Sequence, residues 1–387
     1  MHIDNISVYM VRAPLSRRYW MSLEPYSEAS EIIVELRTNE GAIGIGEIHG
    51  RPMEKIVEVI REGFTPLLIG RDPLESEALY NDLFRSTCSR QAARFSAASG
   101  QPHFGGGAKP QIMAAIAGID IALWDLKGKL LGQPVWKLLG GGRSSVPAYA
   151  SGGYYGPDGE AATRDLAAEM ASYVELGYST VKMKVGGLPI AADVERVRAV
   201  RDTVGAAVSI LLDANQAYDV PSAIAAARAF EPFGIGWFEE PVHWYDSIFG
   251  LGQVSRAIQI PTASGESELH RWACRDLIEH AGIRIMQFDC TRAGGVTEWL
   301  KVAAYAATHG IIMAPHHDAQ IHGHLVAAVP NGYTLEVFPN PQRDPLWAEL
   351  FTGRPAVSNG VVQLSDAPGF GFGLNEAGMK KYAARLF

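Results

Sequence analysis

From Val146 to Val337, short β-branched and apolar runs alternate with alanine-rich amphipathic stretches, the runs starting about 21 to 34 residues apart. The runs read as strands at Val146–Ala150, Thr180–Lys184, Val208–Asp213, Gly236–Glu239, Thr262–Ser264, Ile283–Phe288, Ile311–Ala314 and Thr334–Val337. Between them, segments such as Asp193–Thr203, Ser222–Phe230 and Thr297–Thr308 carry their apolar positions at helical spacing. Eight β-runs with a helix between each consecutive pair predict a (β/α)8 TIM-type barrel. An open doubly wound sheet competes on pattern alone, but no GxGxxG follows the first run.

The first 130 residues are patterned differently. Ile3–Arg12 and Ile32–Thr38 read as strands, and Asn39-Glu40-Gly41 supplies a hairpin turn into Ile43–Ile48. Pro52–Ile69, Pro73–Phe84 and Gln111–Leu130 read as helices, and Ser86–Pro110, rich in Ser, Gly and Ala, as a loop. The expectation is an α/β protein with an α+β capping domain over 1–130 and the barrel over 131–356. A final segment over 357–387 has no further βα unit and is expected to return to the capping domain. A length of 387 residues fits two domains.

Composition narrows the partners. The net charge of −8 gives no basic face for nucleic acid. No apolar run approaches the roughly 20 residues of a membrane span, and Met1-His2-Ile3-Asp4-Asn5 lacks the pattern of a signal peptide. Cys88, Cys274 and Cys290 are odd in number and widely spaced, as reduced thiols of a cytoplasmic protein would be. The remaining partner is a small molecule, with a homo-oligomer as the expected assembly.

Candidate chemistry gathers at strand ends. In Thr180-Val181-Lys182-Met183-Lys184-Val185, the two lysines lie two apart and so share one strand face. Buried ammonium groups persist only where opposite charges meet them, and the mutual repulsion of this pair predicts a lowered pKa for one, fitting it as a base. Three acids answer them at the ends of the third and fourth runs and after the fifth: Asp213, Glu239 and Glu266. Their separations of 26 and 27 residues are one βα unit each, which places them on neighbouring staves at the rim where barrel enzymes put their chemistry. Three anionic oxygen donors without Cys or clustered His suit a hard cation, Mg2+ before Mn2+. On the sixth and seventh runs, Asp289 and His316 should be neighbours, the carboxylate fixing the imidazole tautomer for a second base. His322 and His324 fall on the following helix as structural or substrate-shell residues. A zinc hydrolase on the same barrel would need early histidine ligands, and the first strand has none.

These residues resemble the enolase superfamily in its mandelate racemase-like branch. The resemblance is carried by Val181-Lys182-Met183-Lys184, Leu212-Asp213-Ala214-Asn215, Trp237-Phe238-Glu239-Glu240-Pro241, Gly265-Glu266, Gln287-Phe288-Asp289 and Pro315-His316. Ala117 through Asp125 and Gly360 through Gly369 extend it over nearly the whole chain. It implies Mg2+ on Asp213, Glu239 and Glu266, Lys184 as one base, and the Asp289–His316 dyad facing it across the substrate. It also implies that Lys182 tunes Lys184 and contacts the substrate carboxylate, and that Glu336 hydrogen-bonds that carboxylate. The arrangement is most similar to the acid-sugar dehydratases, tartrate- and aldarate-type enzymes included. It departs from them at His317-Asp318-Ala319-Gln320, where the substrate shell is expected to differ.

A proton α to a carboxylate is weakly acidic because its removal puts a second negative charge on one group. Mg2+ and Lys182 can neutralise the developing enediolate, leaving Lys184 or His316 to move a proton over a short distance. The expected activity is a hydro-lyase that abstracts this proton, eliminates the β-hydroxyl and yields a 2-keto-3-deoxy acid. An epimerase, racemase or lactone cycloisomerase would use the same enediolate, and a catalytically silent metal- or sugar-acid-binding barrel is a further alternative. For the substrate shell the expected residues are Arg17, Tyr19 and Trp20 of the cap, Tyr154 and Tyr155 after the first barrel strand, His243, and His317. An arginine in the cap loop would suit a second carboxylate or a hydroxyl array.

Overall fold

The structure, a computed structural model, describes residues 1–86 and 106–387. Cys88 and most of the expected Ser86–Pro110 loop lie outside the described residues. The N-terminal sheet is built from β1 (Ile3–Trp20), β2 (Pro25–Thr38) and β3 (Ile43–Ile48), antiparallel and in chain order. β1 runs eight residues beyond its expected end at Arg12, because Tyr19 and Trp20 pair with Tyr26 and Pro25 across an irregular register.

The helix Lys109–Leu131 lies on this sheet so closely that glycines are required. A Cβ on Gly46 would overlap the Gly118 carbonyl, and one on Gly44 the Ala122 carbonyl. The helix then ties the cap to the rest of the molecule. Asp120 accepts hydrogen bonds from the Thr297 N–H and hydroxyl at 2.8 and 2.6 Å. Asp125 accepts from the Ile45 and Phe370 N–H groups.

The barrel strands are β4 (Ser145–Ser151), β5 (Thr180–Lys184), β6 (Ser209–Asp213), β7 (Ile235–Glu239), β8 (Thr262–Ser264), β9 (Ile285–Met286), β10 (Ile312–Met313) and β11 (Leu335–Val337). They pair in parallel and in chain order, and β11 returns to pair with β4. The seam between β10 and β11 is closed just before β11, where Met313 N–H donates to Asn331 O and Tyr333 N–H to Met313 O. Inward-facing Tyr149, Leu211, Trp237, Ala263, Ile285 and Ala314 fill the barrel interior beneath the charged rim.

The final segment is shared between the two parts rather than simply returning to the cap. Val361–Gln363 pairs antiparallel with β4 of the barrel, while Ala383–Arg385 pairs with β1 of the cap. Val362 is fully buried, so the first part of the tail gains by covering the end of the barrel.

Where cap meets barrel, Glu31 on β2 and Glu47 on β3 are buried beside Asp318, and Gln320 Nε2 donates to both Glu47 oxygens at 2.9 and 2.7 Å. Burial, reinforced by Asp318, pushes the Glu31 carboxyl up to about 8, and Glu47 moves the same way. A carboxyl raised in the folded state binds a proton that the unfolded chain has released. The stability it contributes is therefore present near its ordinary value of 4.5 and is lost as pH rises through about 8. Glu31→Gln is accordingly expected to flatten this loss by a few kcal/mol, read from denaturant midpoints at pH 6 and pH 9. An unchanged slope would place the protonation elsewhere.

Candidate active site

The register of the parallel strands assembles the rim. Lys184 on β5 is level with Asp213 on β6, and Asp213 is level with Glu239 on β7. Glu266 follows β8 after Gly265, whose φ of 127° admits glycine readily and a β-carbon poorly. Lys182 Nζ lies 2.8 Å from Glu239 and 2.8 Å from Glu336, and 3.7 Å from Asp213. Lys184 Nζ lies 2.5 Å from Asp213. The expected facing of lysines and acids on one side of the barrel is thus present in the structure.

One electrostatic expectation is reversed. Burial and Lys182 act to lower the Lys184 pKa, but contact with Asp213 outweighs them, and Lys184 rises to about 12. Lys182 is likewise held well above its ordinary value: burial opposes its charge, but Glu239 and Glu336 prevail. Attraction at contact distance exceeds repulsion between two ammonium groups that each have an acid closer than the other.

Asp213, Glu239 and Glu266 are spread over cationic partners, since Arg292 holds Glu266 at 3.1 Å while the lysines hold the other two. Among the described residues, the triads whose ligand atoms all lie within 4.8 Å are instead His49, His317, Asp318 and Glu31, Glu47, Asp318. The rim trio nonetheless fits a hard cation. Its donors are all oxygen, and burial, followed by repulsion from Asp213, pushes the Glu239 carboxyl well up, so a cation there would favour its ionised form.

Across the mouth, His316 Nδ1 lies 2.8 Å from Asp289. The Thr291 N–H and hydroxyl donate to the same carboxylate. Burial acts to raise Asp289, but the hydrogen bond to His316 and the charges of His322 and Arg292 hold it well below the usual range. An ionised Asp289 can only accept, so Nδ1 carries the proton and Nε2 is left for the substrate side. His322 and His324 are structural. His322 accepts from the Cys290 N–H and bonds the His317 carbonyl, and His324 joins Trp136 to Phe370.

Lys184, Glu266, His316 and Glu336 line one cavity of about 440 Å3, whose cap-side wall includes Met21, Glu24 and Tyr26. Of the expected substrate shell, Tyr154 and His317 reach this cavity. Arg17, Tyr19, Trp20, Tyr155 and His243 do not line it. The extended β1 carries Arg17, Tyr19 and Trp20 past the mouth, so the following turn takes their place. Arg17 rests on the Tyr19 ring, Tyr19 packs edge-on against Tyr154, and Trp20 Nε1 donates to Pro157 O. The Tyr155 hydroxyl is taken up by Asp193, and His243 caps the short turn Trp244–Asp246.

The sequence reading missed His49, Arg292, Arg343 and the role of Asp318. His49, stacked edge-on against His316 and His317, is pushed down to about 3 by burial and by the neighbouring cations His317 and Arg292, and is neutral. His317 is the opposite: burial disfavours its charge, but Asp318 at 2.6 Å and Asp344 at 3.4 Å raise it well above its ordinary value. The only signal for this was His317-Asp318 itself, two successive residues that adopt positive φ of 53° and 44°.

An eight-stranded parallel barrel under an α+β cap, with acids, two lysines and a His–Asp pair at its C-terminal mouth, defines a class of barrel enzymes. Residues 165–378 match the family described as Enolase C-terminal domain-like, and residues 5–140 match the Mandelate racemase / muconate lactonizing enzyme, N-terminal domain. The chain belongs to the enolase superfamily, with both domains of the mandelate racemase and muconate lactonizing type. It is 30% identical to arabinonate dehydratase of Saccharolobus solfataricus over 92% of this chain and 91% of that protein. It is 29% identical to D-galactarolactone cycloisomerase of Agrobacterium fabrum over 99% of each. A mandelate racemase/muconate lactonizing enzyme from a marine actinobacterium, solved in complex with magnesium, superposes with a TM-score of 0.84 at 34% identity over 99% of both chains.

Proposed function

We propose that this protein is a Mg2+-dependent sugar-acid dehydratase, converting an aldonate or aldarate to a 2-keto-3-deoxy acid. The observation that carries the reading is the presentation of two proton-transfer groups, Lys184 and His316, to one cavity from well-separated strands. The cation would be held by Asp213, Glu239 and Glu266, in keeping with the magnesium of the solved relative. Bound there, it would supply positive charge against the second negative charge that proton removal creates.

The side chains do the rest. Lys182 is the cation that attracts the substrate carboxylate, and Glu336, kept ionised by Lys182 at 2.8 Å, holds that ammonium in place on the barrel floor. Lys184, once it has lost its own proton to solvent, takes the C2 proton as a neutral amine. His316, protonated and steadied by Asp289, gives its Nε2 proton to the departing C3 hydroxyl. Water leaves, a C2–C3 double bond forms, and the resulting enol tautomerises to the 2-keto acid.

A second reading, lactone cycloisomerisation through the same enediolate, is favoured by the match to the Agrobacterium enzyme. A panel of aldonic and aldaric acids and their lactones separates the two. Dehydration predicts 2-keto product, whereas C2 deuterium exchange with isomerisation and no keto acid would overturn it. Tight binding of Mg2+ and a sugar acid without any proton exchange would identify a silent barrel.

A further inference from the structure

The cavity wall carries a buried cation that no carboxylate of the described residues contacts, although the nearby Asp344 charge favours it. Arg343, in the loop after β11, is only 9% exposed and lines the cavity. Its Nε donates to the Tyr154 hydroxyl at 2.8 Å, and its guanidinium lies over the rings of Tyr26, Phe338 and Tyr154 at 4.3, 4.8 and 5.1 Å. Its terminal nitrogens make no hydrogen bond or ion pair with any described residue. The adjacent carboxylate does not serve it, because Asp344 is turned to His317 Nε2 and to the Trp347 N–H. Glu24 lines the same cavity but forms no ion pair with it. By contrast, the buried Lys182, Lys184 and His317 and the half-buried Arg292 each have a carboxylate within 3.4 Å.

Burying a guanidinium without a counter-charge is costly unless a ligand provides one. Its planar fork suits a carboxylate held by two parallel hydrogen bonds. Aromatic rings on several sides fix the fork and leave the terminal nitrogens as the free donors. Tyr154 links this end of the cavity to the chemistry, since Lys184 Nζ lies 5.5 Å from the same ring. Arg51, whose Nη2 donates to Ser30, adds a second cation on the cap side of the cavity.

We propose that the substrate is an aldaric acid, with a carboxylate at each end, and that Arg343 binds the carboxylate remote from the reacting C2. This rests on the reading of the cavity as a sugar-acid site and narrows it to diacids. It also moves the expected role of the cap arginine to the loop after the eighth barrel strand.

The test uses the Mg2+-loaded full chain and stereochemically matched pairs, such as galactarate with galactonate and glucarate with gluconate. Binding is followed by calorimetry and turnover by keto-acid formation. The wild type is expected to favour the diacid of its preferred pair by about 10²-fold or more in kcat/KM. Arg343→Met is expected to lose about 10²-fold on that diacid, mostly through KM, and at least tenfold less on the monoacid. Arg343→Lys, which keeps the charge without the fork, should fall between them. Preference for the monoacid, or an equal loss on both acids, overturns the proposal while leaving dehydration intact. If no acid is turned over, the dehydratase reading fails, and the diacid preference in binding and its loss in Arg343→Met still decide the role of Arg343. A variant that fails to fold leaves the wild-type preference and Arg343→Lys to give the answer.

Discussion

Lys184→Ala and His316→Asn are each expected to lower turnover by at least about 10²-fold, the lower end for general acid–base groups. Neither change removes an acid from the rim trio, so both variants should still bind Mg2+; Lys184→Ala is expected to melt lower without the metal, because Asp213 then keeps only Lys182 at 3.7 Å. The two differ in a way that assigns their roles. Lys184 is the C2 base in the proposed reaction, so Lys184→Ala should stop exchange of the C2 proton with solvent deuterium. His316→Asn removes the acid that expels hydroxide but leaves the abstracting group, so exchange should continue without keto-acid formation. The asparagine also keeps a polar group beside Asp289, whose carboxylate still accepts from Thr291. Exchange retained in Lys184→Ala and lost in His316→Asn would interchange the two roles. Near-normal turnover in either variant would place the chemistry elsewhere.

The second large effect concerns the acidic trio. Glu239→Gln is expected to weaken Mg2+ binding and to lower turnover by about 10³-fold or more, since several kcal/mol of charge stabilisation are removed together with an anionic ligand. Glutamine keeps the shape of the side chain and can still meet Trp237 Nε1, which donates to Glu239 at 3.0 Å. Lys182 retains Glu336 at 2.8 Å, so its charge remains paired and the barrel floor should persist. Calorimetric Mg2+ titration beside a thermal melt separates loss of the metal from loss of the fold. Chelation of the wild type should reproduce the effect, and added Mg2+ should reverse it. Full turnover in the variant or in the chelated enzyme would exclude a catalytic role for a cation at this trio.

Much of the barrel was legible because its signals are local. Apolar alternation and β-branched runs placed Thr180–Lys184 and Thr262–Ser264 at their observed bounds, and Ile43–Ile48 likewise in the cap. Strand parity put Lys182 and Lys184 on one face, and the one-unit spacing of Asp213 and Glu239 became direct neighbourhood in the ladder. Asp289 and His316 met for the same reason, as ends of adjacent staves. The shorter β9 and β10 were overextended in the reading, because apolar runs continue beyond the paired residues.

What lay beyond reach was set by contacts between distant segments and by the balance of charges inside the mouth. The Lys-x-Lys pattern predicts repulsion, yet Asp213 from the next strand decides the sign and holds Lys184 up to about 12. The cap loop offered Arg17, but that residue lies in the irregular stretch of β1 between Pro14 and Tyr19 and rests on the Tyr19 ring instead of lining the cavity. Arg343 meets Tyr154 across 189 residues of chain. Its neighbours in sequence mark only a loop; burial between three aromatic rings without a carboxylate is visible only once the cap closes over the barrel. The sequence by itself thus placed the barrel, its three rim acids, and Lys184 and His316 at its mouth, because these positions follow from the periodicity of single elements. Tertiary structure alone decided the charge states and the walls of the cavity, because both depend on which side chains are brought together from different elements.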